Sequence, residues 1–255
     1  MTAERDERPA TIEELVTRME ALLAPLRDDE LRYFHLTYLR TTLAARDEID
    51  PGRFVDRDWV ERWDVVFADL YLQPLEAWLR GDPVPGPWRV AFQATREDLP
   101  PLRHVLLGMN AHVNYDLPQA LNAVIAEEEF DDDELVARRA SDHRHIDEIL
   151  ANRVPAEDRE LQKVERPGDR TLLDRLLQPF NRAGTKRFLK EAREKVWRNA
   201  RLLNAARRRS PEALRARLEE LEELSRARVA DLRRPGQVLL RLARRGFGVE
   251  LSPHG

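Results

Sequence analysis

The chain has 255 residues, of which 42% are hydrophobic and 35% charged, a balance that fits a folded protein with one core and a well-hydrated surface. It has no cysteine and a net charge of only −4, which excludes disulfides, thiolate chemistry and a general attraction to nucleic acid or an anionic membrane. The charged N-terminus lacks the apolar run of a signal peptide and no segment is long enough to span a membrane, so we expect a cytoplasmic protein.

Helical patterns follow one another along the chain, and no stretch alternates as a strand would. Thr11 and Glu14 form a capping box for a first helix that ends at Pro25, and a second helix begins near residue 28. A third, over about 57–80, carries aromatic residues at three-to-four spacing, which indicates core packing rather than a cofactor site. The later predicted helices cover about 88–96, 101–127, 134–152, 171–182, 185–208 and 211–233.

The predicted central helix contains a cluster of residues that helices tolerate poorly. Gly108 costs about 1 kcal/mol relative to alanine, and Pro118 removes a backbone donor, so we expect a kink near Asn114. Asn110 and Asn114 bracket His112, and amides inside helices are also mildly unfavourable. Because local rules tend to be broken where function lies, residues 108–118 are the predicted functional segment.

Two helices each carry a histidine and an aspartate four residues apart, His112 with Asp116 and His143 with Asp147. This spacing places both side chains of a pair on one helical face, close to the apolar stripe, where an unpaired carboxylate costs several kcal/mol. One interpretation is a buried polar network in which Arg139 pairs with Asp116 or Asp147. The other is a divalent metal site for zinc, iron or manganese, and the pattern leaves both open.

The metal interpretation implies a hydrolase-type enzyme. The metal bound by the two pairs would activate water, His112 and Asp116 would take part in catalysis, and Arg139 would steady an anionic group. His35, on an apolar helix face, is more simply a satisfied core histidine than a ligand. The side chains expected to line the site are His35, Tyr38, Asn110 and Asn114.

The same segments resemble a known family. Residues 108–118, with Tyr33, Phe34 and Tyr38 upstream and Asp142, His143 and Asp147 downstream, resemble an uncharacterised bacterial family known as domain of unknown function 5995, over roughly residues 10–205. The resemblance implies an all-helical bundle with a shared site, and it supplies no activity.

Together these patterns predict an all-α, multi-helix bundle with a kinked central helix and a charged C-terminal helical extension. We expect a disordered lead over 1–10, the bundle over 11–208, and a charged helix with a basic tail over 209–255. Besides the enzyme, two functions fit. One is a non-catalytic binding protein whose polar cluster is structural or holds a small apolar ligand. The other is a scaffold that forms homo-oligomers through the leucine stripe of 211–233.

Overall fold

The computed structural model describes residues 9–49, 53–164, 181–236 and 238–253, and within these ranges it contains helices and no β-strand. The all-α prediction is therefore confirmed. The lead before residue 9, the turn after residue 49 and nearly all of the predicted helix over 171–182 lie outside the described residues. The helices are α1 (Ile12–Ala21), α2 (Leu31–Ile49), α3 (Arg57–Arg80), α4 (Gly86–Gln93), α5 (Pro101–Ala111), α6 (Leu117–Val124), α7 (Asp133–Gln162), α8 (Asn181–Arg209), α9 (Pro211–Arg233) and α10 (Val238–Arg245).

Side-chain caps fix several helix starts. Thr11, Asp56, Asp132 and Ser210 each accept a hydrogen bond from the backbone N–H three residues later, at 2.9 to 3.2 Å. The predicted cap at Thr11 is therefore present, but Glu14 Oε2 accepts from the Ala10 N–H at 2.8 Å and not from the Thr11 N–H, so only half of the capping box forms. Gly81 ends α3 in the left-handed conformation, with φ of 84°, which glycine adopts without a steric penalty.

The core is built around α3. The rings of Trp59 and Trp63 stack with their centroids 5.3 Å apart, and Phe67 continues the stack 6.3 Å beyond Trp63. These rings repeat every four residues, so they follow one face of the helix. The aromatic stripe packs in the core, as the spacing predicted.

Helix α7 is longer than predicted, because it continues through Pro155 to Gln162 instead of ending near residue 152. The continuation is held by Glu157, which is buried and accepts hydrogen bonds from Arg153 one turn earlier and from Arg40 on α2. These charge-assisted contacts tie the second half of α7 to its neighbour and outweigh the loss of one backbone donor at the proline.

Helix α9 packs against α4, α5 and α8. Leu221, Val229 and Leu232 on α9 are fully buried. The leucine stripe that suggested self-association contacts Leu203 of α8 and Leu251 near the C-terminus of the same chain. Homo-oligomerisation through this stripe stays a prediction. No helix in the part of the chain that the structure describes is long and apolar enough to cross a membrane.

Candidate functional site

The interruption expected in the central helix takes the form of a π-helical turn, His112–Asp116, between α5 and α6. The Leu117 N–H donates to the His112 carbonyl five residues back. Pro118 gives the physical reason: it has no N–H for the Asn114 carbonyl, and its ring would clash with that carbonyl in a regular helix. The wider turn relieves this clash, and such turns are frequent at functional sites.

Gly108 is explained by close packing between α5 and α2. A Cβ built at this position would lie 2.4 Å from Cγ of Phe34, far inside van der Waals contact. The helix therefore accepts the conformational penalty of glycine so that the Phe34 ring can pack directly on its backbone.

His112 and Asp116 hydrogen-bond to each other inside the protein. His112 Nδ1 lies 2.8 Å from Asp116 Oδ2, and Trp88 Nε1 donates to the same carboxyl group at 3.0 Å. The residues are 3% and 1% exposed. Burial lowers the pKa of His112 well below its ordinary value and raises the pKa of Asp116 well above its own, although the Trp88 hydrogen bond opposes the second shift. Both pKa shifts favour the neutral forms of the two side chains, because the buried site disfavours charge.

Aromatic rings enclose the His112 imidazole. The Phe67 ring stacks parallel to it with ring centroids 3.6 Å apart, and the Tyr38 ring packs at a steep angle with centroids 4.7 Å apart. His112 Nε2 and the Tyr38 hydroxyl have no hydrogen-bond partner among the described residues. Burial raises the pKa of Tyr38 well above its ordinary value. Three further rings surround the imidazole with centroids about 6 Å away, those of Phe34, Tyr71 and Trp88.

The second pair, on α7, makes different contacts. Trp197 Nε1 donates to His143 Nδ1 at 3.1 Å, so the imidazole proton must lie on Nε2. That nitrogen is 3.9 Å from Asp147 Oδ1, and Asp147 forms its ion pair with Arg193 of α8. Burial, together with the charges of Arg193 and Arg144, lowers the pKa of His143 to about 3.

The two pairs belong to separate hydrogen-bond networks, although both imidazole rings pack on the aromatic stripe of α3. His112 stacks on Phe67, whereas His143 packs against Trp63, 5.0 Å between centroids. Among the described residues, no group of three or more histidine or carboxylate side chains is arranged to hold a metal ion. The four predicted ligands therefore do not fit a single ion in this arrangement, and a divalent metal stays a prediction from the sequence.

The predicted role of Arg139 in pairing with Asp116 or Asp147 is wrong. Its guanidinium forms an ion pair with Asp56, the cap of α3, and lies 4.7 Å from the centre of the Trp59 ring. Arg139 points towards the start of α3, while Arg193 approaches Asp147 from α8. The spacing within α7 could not reveal which neighbouring element supplies each partner.

His35 lies in the core with both ring nitrogens satisfied. Nε2 donates to the Met19 carbonyl at 2.8 Å, which leaves Nδ1 to accept from the Tyr71 hydroxyl at 3.1 Å. Burial lowers the pKa of His35. These contacts agree with the interpretation of a core histidine.

His104 is also buried, at 5% exposure, and it packs near Tyr33 with ring centroids 6.1 Å apart. It lines a cavity of about 20 Å³ together with Phe34 and Gly108. This volume has room for about one water molecule, not for a small organic ligand.

Asn110 and Asn114 hold the segment that follows α10. Their Nδ2 groups both donate to the Phe247 carbonyl at 3.1 Å, and Asn114 Oδ1 accepts from the Val249 N–H at 2.9 Å. Both asparagines are buried. Their amides therefore bind backbone groups from a distant part of the chain, which their sequence neighbours could not reveal.

Comparisons with known proteins give one match. No curated protein and no solved structure matches the chain. A family model, described as a family of unknown function (DUF5995), matches residues 12–235. The match extends beyond the resemblance drawn from the motifs, and it includes α9. The chain belongs to the family of unknown function DUF5995.

Proposed function

We propose that the protein is a non-catalytic helical binding protein in which the buried His–Asp pairs fix the packing of the bundle. The observation that supports this function is that different residues of the π turn make two different kinds of contact. His112 and Asp116 contact each other and are enclosed, at 3% and 1% exposure, while Asn114 of the same turn binds peptide backbone.

Enclosure argues against catalysis by this pair. A general base must come within hydrogen-bond distance of the proton that it abstracts, directly or through one water. His112 lies among five aromatic rings, and Asp116 accepts hydrogen bonds inside the same region. A buried polar contact of this kind makes the packing of the core specific, because displacing the Trp88 ring would leave the Asp116 carboxyl group without its donor.

Metal analysis and unfolding experiments test the proposal. Protein purified without a histidine tag is expected to contain no stoichiometric metal, and EDTA is expected to leave its melting temperature unchanged. His112→Gln should lower the free energy of unfolding by about 2 to 4 kcal/mol, because it disrupts a buried hydrogen bond and ring packing.

His145→Gln is the matched control. His145 is partly exposed, faces Glu148 at 3.6 Å and packs edge-on against Phe54 with ring centroids 4.9 Å apart, so its loss should cost about 1 kcal/mol or less. Stoichiometric metal, with a lower melting temperature after chelation, would overturn the proposal.

A metal-dependent enzyme is the second candidate, and one observation favours it. His112 Nε2 has no partner within the described ranges, while Asp116 contacts Nδ1. A carboxylate behind an imidazole in this way is typical of a histidine oriented as a metal ligand or a base. For this candidate, the wild-type chain would contain stoichiometric metal, and His112→Gln would remove that metal together with the stability that metal binding adds.

A further inference from the structure

Side chains of the bundle bind the backbone of the segment that follows α10. Residues 247–252, called the tail segment from here on, contain no helix or strand. Their backbone groups pair with side chains of the bundle at nearly every position from Phe247 to Ser252. A segment bound in this way resembles a peptide in a groove more than a loop closed by its own turns.

Two asparagines provide a repeating recognition element. Asn114 donates to the Phe247 carbonyl and accepts from the Val249 N–H. Asn199 on α8 donates to the Val249 carbonyl at 3.1 Å and accepts from the Leu251 N–H at 2.9 Å. A carboxamide has the donor and acceptor of a peptide group, so each asparagine takes the place of one peptide unit of a neighbouring strand. The contacts advance two residues at a time, which is the spacing expected of an extended chain.

Charged side chains bind three further backbone groups of the tail segment. Glu191 accepts from the Phe247 N–H at 2.7 Å, and Lys195 donates to the Gly248 carbonyl at 3.1 Å. Glu220 of α9 accepts from the Ser252 N–H at 2.9 Å. Charged groups make stronger hydrogen bonds than neutral ones, and none of these contacts depends on the identity of the tail side chain.

Three tail residues add sequence selectivity. Phe247 and Leu251 are 7% and 1% exposed and act as apolar anchors four residues apart. Between them, Gly248 allows close approach to α8, because a Cβ there would lie 2.7 Å from Cδ of Lys195. The groove therefore fits an extended peptide with a large apolar residue, glycine next to it, and a second apolar residue three positions later.

The family match covers the residues that bind the tail segment but not the tail segment itself. All of the groove side chains lie within the family match to residues 12–235, and the tail segment lies beyond it. The residues that form the groove are Asn110, Asn114, Glu191, Lys195, Asn199 and Glu220.

We propose that the groove between the π turn, α8 and α9 is a binding site for an extended peptide, and that residues 247–252 occupy it as an intramolecular ligand that the same sequence in trans can replace. This inference rests on the proposed binding function and identifies its surface. In the free chain the tethered segment competes with any other peptide, because a short linker keeps its effective concentration in the millimolar range.

Peptide binding to full-length chains tests the inference. The probe is a fluorescent synthetic peptide of residues 246–253, and its binding is measured by anisotropy. In a chain with Phe247→Asp and Leu251→Asp, the tail segment cannot occupy the groove. This chain is expected to bind the probe at least tenfold more tightly than the wild-type chain. Adding Asn199→Ala to this chain should weaken binding at least tenfold, which corresponds to about 1.4 kcal/mol.

Asn204→Ala, added to the same chain, is the matched control. Asn204 is also a buried asparagine on α8, but it donates to the Glu127 carbonyl and not to the tail segment, so binding should change less than twofold. If the chain with the altered tail has a wild-type circular dichroism spectrum and binds no probe, the inference is wrong. Equal binding with and without Asn199 also contradicts it.

Hydrogen exchange of the wild-type chain gives an independent test that needs no variant. The amides of Phe247, Val249 and Leu251 should be protected, yet exchange faster than the core amides of α8, because the segment detaches without global unfolding. Exchange only through global unfolding, or no protection, would contradict a replaceable ligand. If these tests fail while the metal and chelation results hold, only this inference falls, and the proposed function stands.

Discussion

The two His-x-x-x-Asp pairs have the same spacing and different structures. In the π turn, His112 and Asp116 bond to each other at 2.8 Å. In the regular helix α7, His143 and Asp147 are 3.9 Å apart, and each takes its closest partner from α8. Spacing therefore decides which face of a helix two side chains share. The local helix geometry and the packed neighbours decide what those side chains bind.

The pairs also differ in their access to solvent. The Asp116 side chain is 1% exposed, whereas the Asp147 side chain is 12% exposed and pairs with an arginine that is itself 15% exposed. Water can therefore replace a lost partner at the second pair and not at the first. The consequences of breaking each pair should differ accordingly.

The largest difference is expected between the two carboxylates. Asp116→Ala should lower the free energy of unfolding by about 3 to 5 kcal/mol, because it leaves His112 and Trp88 without their buried acceptor and opens a cavity. Asp147→Ala should lower it by about 1 to 2 kcal/mol, because Arg193 can be rehydrated. Urea unfolding of both variants measures the difference, and equal losses would contradict the contrast.

A smaller difference is expected between the two indole donors. Trp88→Phe removes the N–H that binds Asp116 and should cost about 2 to 3 kcal/mol, because Trp88 is fully buried. Trp197→Phe removes the donor to His143 at a site that is 9% exposed, and should cost about 1 kcal/mol. Denaturant unfolding measures the loss of stability in each variant. A larger loss for Trp197→Phe than for Trp88→Phe would show that burial does not determine the difference between the two pairs.

The free energy of unfolding should depend on pH through the titration of His143. Its folded pKa of about 3 is below the ordinary value near 6.5, so between these values the unfolded state binds more protons and stability falls as pH falls. The stability of the wild type relative to His143→Gln should therefore decrease by at most about 1.4 kcal/mol per pH unit below pH 6.5. A difference that does not change between pH 6.5 and pH 4 would contradict a neutral, buried imidazole.

Features that depend on local sequence were predictable. The cap at Thr11, the aromatic face of α3 and the interruption caused by Pro118 each follow from residues within a few positions of one another. Helix α7 continues through Pro155 because Arg40 of α2 binds Glu157. The residues near Pro155 do not predict this contact, since Arg40 is distant in the sequence.

The partners of the predicted site residues were not predictable for the same reason. Trp88, Trp197 and Arg193 come from other elements, and their approach depends on how the bundle packs. Trp88 and Trp197 were recognisable as apolar side chains with one donor that needs an acceptor when buried. Their pairing with Asp116 and His143 required the fold.

The central claim is that the two histidines belong to separate hydrogen-bond networks, and ring ¹⁵N spectra during zinc titration test it most directly. His112→Gln and His143→Gln assign the signals of the wild-type chain. We expect the ring nitrogens of both histidines to keep their shifts at one equivalent of Zn²⁺, because among the described residues neither histidine belongs to a group of ligands that could hold the ion. Signals of both histidines that shift together and saturate at one equivalent would contradict the account.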